Sequence, residues 1–118
     1  MNVHRYPHSR QQQYNRMKAE LGNQELRAAL LNLVERLRDL TNCPEDSFYR
    51  GGGRAQAREV GKAAMIALAN WEDSFYCSPG LAEPLAETLY EILPRLTEKH
   101  YRQSAERLIL NLREAAAG

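Results

Sequence analysis

Leucines recur at positions 26, 30, 33, 37 and 40, a 4-3-4-3 spacing that lays one apolar stripe along a helix, and Leu31 and Val34 widen it. No segment of comparable length alternates apolar and polar residues as a half-buried strand would. Upstream, Ser9 suits the N-cap of a helix through RQQQYNRMKAEL that Gly22 stops, and Asn23 suits the cap of the leucine helix. Residues 1–9 are polar, contain a proline and show no period, so they read as a flexible basic arm.

The stretch TNCPEDSFYRGGG then interrupts the helical pattern. Periodicity resumes through RAQAREVGKAAMIALANW, with Ala57, Val60, Gly61, Ala64, Leu68 and Trp71 on one side. Small residues at 57, 61 and 64 admit a second helix at close range. After CSPG, Leu81, Leu85, Leu89 and Ile92 mark a fourth helix, which Pro94 must end or kink. Tyr101, Ala105, Leu108, Leu112 and Ala115 restore the 4-3-4-3 spacing in a last helix. The expected fold is all-α, a single-domain bundle of four to five helices over residues 10–118. The leucine stripe reads as core. The C-terminal helix, free to pair across a symmetry axis, is the expected contact of a homo-oligomer.

Composition agrees with one folded domain: 118 residues, 43% apolar and 26% charged. The net charge of +1 argues against both a strongly basic nucleic-acid binder and an acidic DNA mimic. Its distribution is uneven. Arg5, Arg10, Arg16 and Lys18 stand among residues 1–19 without one acid, whereas Glu83, Glu87, Glu91 and Glu98 dominate a later segment. No secretory leader and no apolar run long enough for a bilayer is evident, so a cytoplasmic protein with reduced thiols and no membrane contact is expected.

The chemistry on offer is sparse. Cys43 and Cys77 form no CxxC, and His4, His8 and His100 fall in no zinc, hydrolase or Cys-His pattern, so no catalytic residue, metal or cofactor is assigned and the chain reads as a non-enzyme. The sequence EDSFY occurs at 45–49 and again at 72–76. Glu45, Asp46, Glu72 and Asp73 would give four carboxylates if adjacent, but no calcium-loop or di-iron spacing supports a site. Each Phe-Tyr pair, Phe48-Tyr49 and Phe75-Tyr76, is expected instead to plug a helix connection onto the core while its acids face water.

A basic ridge carries more interest. Arg50, Arg54, Arg58 and Lys62 step four residues at a time along one side of a helix, and Glu59 offsets little of their charge. The glycines at 51–53 precede that helix, where backbone N–H groups and the helix dipole favour an anion. The spacing is not that of a P-loop, and no base-stacking aromatics alternate with the cations. A protein partner docking on Arg50, Arg54, Arg58 and Lys62, helped by Arg5 and Arg10 of the arm, is the expected use. Nucleic-acid phosphates bound by the same ridge are the alternative.

The stretch from YNRMKAELGNQELRAALLNLVERL through PEDSFYRGGGRAQAREVGKAAMIALAN resembles a group of small tailed-phage helical proteins, in which a leucine-rich helix precedes a loop and a Gly-Arg-started helix. The matching residues are Leu30, Leu33, Gly53, Arg54, Val60 and Ala64. The resemblance implies a phage or prophage structural or accessory protein. A virion component, an adaptor or a small inhibitor of a host complex, in the host cytoplasm or the virion, would suit the expected docking.

Overall fold

The computed structural model describes the backbone of residues 6–43 and 52–117 and the side chains of residues 24–43 and 53–117. Four α-helices and no strand occur among them: α1 (Tyr6–Thr41), α2 (Gly52–Ala69), α3 (Pro79–Ile92) and α4 (Lys99–Ala117), with a 3-10 turn at Leu93–Arg95 between the last two. The all-α expectation holds.

Two boundaries differ from the sequence reading. Gly22 does not stop a helix, because α1 runs through it for 36 residues. A single helical glycine costs about 1 kcal/mol, and the strong helix formers on both sides, AEL and QELRAALL, outweigh it. The helix also begins at Tyr6, so residues 6–9 belong to α1 and Ser9 is not its start. Pro7 is tolerated there because a first-turn N–H has no helical acceptor.

Pro94 acts as expected. It lacks the N–H that would continue α3, and the chain tightens into a 3-10 turn, with Leu96 N donating to the Leu93 carbonyl at 3.0 Å. Leu96, which no helical period marks, is thereby turned into the core and is fully buried. Glu98 then starts α4, its carbonyl accepting from Arg102 N at 3.1 Å.

The leucine stripe of α1 is core: Leu26, Leu30, Leu33, Leu37 and Leu40 are all buried. Each contributes roughly 1.5–3 kcal/mol of apolar transfer. α1 packs on α2, α2 on α4, and α4 on α3, so helices adjacent in sequence are not all adjacent in space. The small face of α2 works as its composition suggests. At Gly61 an added Cβ would lie 2.5 Å from Tyr101 Cγ, so only glycine lets α4 come this close. The 4-3-4-3 stripe of α4 also turns inward, with Ala105, Leu108 and Leu112 fully buried. The molecule is long, 70 × 25 × 23 Å, because α1 outreaches helices of 14 to 19 residues.

Candidate functional site

α2 presents Arg54, Arg58 and Lys62 to solvent on the side opposite Val60 and Ala64, as the four-residue spacing requires. The structure adds a second wall. The 3-10 turn and the start of α4 bring Arg95, Thr97 and Glu98 alongside, closing a cleft of about 850 Å³ floored by Ala57, Leu96 and Tyr101. Four cationic side chains and two carboxylates line it.

The ridge is less bare than its sequence implies. Arg58 Nη2 pairs with Glu98 Oε1 at 3.4 Å, across 40 residues of chain, and Lys62 Nζ pairs with Glu59 Oε1 at 3.5 Å. Glu59 therefore does offset part of the ridge, contrary to expectation. Arg58 and Lys62 are exposed by 66% and 56% at their side chains, and such solvated pairs are worth about 0–1 kcal/mol. A partner carboxylate can displace them at little cost.

Of the other expected contributors, Arg50 and Arg5 lie outside the described residues, and the backbone of Arg10 lies within α1, near its N-terminus and not in a loose arm. The glycine cradle is not realised at its third position. α2 begins at Gly52 and Gly53 is buried, so Gly53 offers little open surface to an anion. Arg95, Glu98 and Tyr101 were not singled out for the site by sequence. The one signal was Pro94, which forces a turn beside Arg95 and Glu98.

The second EDSFY copy splits its two aromatics. Phe75 is buried and meets Trp71 edge-on, with ring centroids 5.5 Å apart at 74°, so it plugs the α2–α3 connection as expected. Its N–H donates to the Glu72 carbonyl at 2.9 Å, closing a turn. Tyr76 is 63% exposed, so it does not plug the connection as expected. The first copy, residues 45–49, lies outside the described residues.

Among the described residues no group of three or more His, Cys, Asp or Glu side chains is gathered, and no helix is long and apolar enough to cross a membrane. Both cysteines are free. Burial pushes the Cys77 thiol above its ordinary range, with a smaller opposing pull from Arg27. The folded chain thus keeps that proton to higher pH than the unfolded chain does. Stability from this group is complete below the ordinary thiol range and is lost as pH rises through it. Denaturant unfolding at pH 7.5 and pH 10 should show a smaller alkaline loss for Cys77→Ala than for the natural chain. Cys43, only partly buried, should also react with a thiol reagent well before Cys77 does.

Comparison with known protein families, with curated proteins and with solved structures finds no match to this chain. The functional reading therefore stands on the cleft itself.

Proposed function

We propose that this chain is a non-enzymatic helical interaction module that docks an acidic segment of a partner protein into the cleft between α2 and the start of α4. A phage virion component, an adaptor or an inhibitor of a host complex would use such a module. The supporting observation is the placement of Arg54, Arg58, Lys62 and Arg95 around one concavity whose own carboxylates, Glu59 and Glu98, are weakly held. Docking exchanges those intramolecular carboxylates for the partner's, and the half-buried Tyr101 ring offers a surface to a neighbouring apolar side chain. Tyr101 is the only aromatic among the described residues lining the cleft, so successive bases of a single strand would find no stacking platform there, and a protein segment fits better.

Charge reversal tests the surface. Arg54→Glu with Arg58→Glu should reduce capture of the partner from nuclease-treated native lysate at least about tenfold, given about 1.5–3 kcal/mol for each charge-assisted hydrogen bond lost. Both side chains are exposed, so the melting temperature should hardly move. Unchanged capture would remove the cleft from consideration. Tight binding of a single-stranded oligonucleotide, with affinity falling steeply on a log–log salt plot, would replace the protein-docking reading by the nucleic-acid one.

A further inference from the structure

On the flank where α1 and α3 run side by side, the two helices barely touch. Arg27 and Leu31 of α1 lie level with Tyr76 and Ser78, and Val34 to Thr41 lie level with Gly80 to Thr88, so α1 and α3 are parallel. Between them runs a groove of two cavities, about 320 and 350 Å³, which meet at Leu81. A Cβ built on Gly80 would meet nothing within 4 Å, so the groove is open there. Pro84 has no N–H to offer the Gly80 carbonyl, and both residues line the opening.

The lips of this groove are apolar and uncovered. Leu31 is 58% exposed, Tyr76 63% and Leu81 38%. Leu31 belongs to a second stripe on α1, Arg27–Leu31–Val34–Arg38–Thr41, which repeats the 4-3-4-3 spacing about 100° around the helix from the buried leucines. Outside the lips, Arg27 and Arg38 rim the α1 side together with one acid, Glu35, which is paired to Arg36 at 3.7 Å. Glu87 and Glu91 follow on the solvent side of Pro84 and Thr88 on α3, and Arg27, Arg38, Glu87 and Glu91 are exposed. Arg38, Glu87 and Glu91 make no ion pair among the described residues.

We propose that this groove is the contact face of a two-fold dimer, covered by the same groove of a second copy. The charge pattern selects both occupant and symmetry. A two-fold axis parallel to the helices sets α1 of each copy against α3 of the other at the same height. Arg38 then faces Glu87 of the second copy, and the pairing occurs twice by symmetry. An axis across the helices would set arginine against arginine and glutamate against glutamate, which costs energy. Burial of Leu31, Tyr76 and Leu81 drives association, and the ion pairs fix register. The C-terminal helix, expected from sequence to carry self-association, has its stripe taken up inside its own chain and is not needed for this contact.

The dimer face lies on α1 and α3 and shares no lining residue with the basic cleft, so the two proposals succeed or fail separately. Sedimentation velocity across a concentration series tests it, with circular dichroism confirming that each variant remains helical. The natural chain should reach twice its monomer mass. Arg38→Glu alone and Glu87→Arg alone should each raise the dimer dissociation constant about tenfold, because each turns two symmetric ion pairs into like-charge contacts. Combining the two should restore dimerisation to within about twofold of the natural chain, since the pair is re-formed with its signs exchanged. The proposal is overturned if the natural chain stays monomeric at every concentration. It is overturned equally if either single variant dimerises as the natural chain does, or if the combined variant fails to recover.

Discussion

Alanine at position 61 should destabilise the fold by about 1–3 kcal/mol, although in an unpacked helix the same change stabilises by about 1 kcal/mol. The new Cβ would stand 2.5 Å from Tyr101 Cγ, 2.7 Å from Cδ2 and 2.8 Å from Cβ. The tyrosine ring can rotate aside. Its Cβ is fixed to the α4 backbone, so relief there requires α2 and α4 to separate. Separation opens the buried contacts of Val60 and Ala64, which are fully enclosed. Tyr101→Ala removes Cγ and Cδ2 while leaving the Cβ, so the double variant should recover part of the loss and not all of it. Denaturant unfolding of the two single variants and the double closes this cycle. Strict additivity would show that the contact between positions 61 and 101 does not limit helix approach. Tyr101 also floors the basic cleft, so Gly61→Ala should weaken partner docking as well.

Leu108→Ala should cost about 2–5 kcal/mol, a large part of the roughly 5–15 kcal/mol that holds a domain of this size together. Leu110→Ala, two residues along the same helix, should change stability by no more than about 0.5 kcal/mol. Leu108 is fully buried and Leu110 is 54% exposed. Both changes remove the same atoms and incur the same change in helix propensity, so their difference isolates burial and the cavity left behind. Equal midpoints in urea for the two variants would contradict the orientation of α4 in the bundle.

Apolar spacing made the helices legible wherever one face is buried throughout. Leu26 to Leu40, Leu85 to Ile92 and Ala105 to Leu112 each repeat at the helical period, and each proved to be core. Boundaries were less legible, because local signals act only within a few kcal/mol. Gly22 is overridden by its neighbours, and so is Pro84 inside α3, whereas Pro94 coincides with the end of α3 and turns the chain. Tyr76 and Phe75 look equivalent in the repeated EDSFY, yet one is outside and the other inside. An irregular connection has no period from which to read a face.

The candidate cleft was half legible for a related reason. Arg54, Arg58 and Lys62 share a side of α2 by spacing alone, so sequence suffices to align them. Arg95 and Glu98 reach the same cleft only because α2 and α4 pack side by side, skipping the helix between them in the chain. Spacing along one helix is a local, covalent matter, and it determined the all-α class, the buried stripes and the ridge. Which helices become neighbours depends on the fit of whole faces, such as Gly61 against Tyr101, and such long-range choices carry no period along the chain. The tertiary structure alone therefore decided that the ridge has an opposing wall with its own carboxylates. It alone decided, too, that α1 and α3 part to leave Leu31, Tyr76 and Leu81 uncovered.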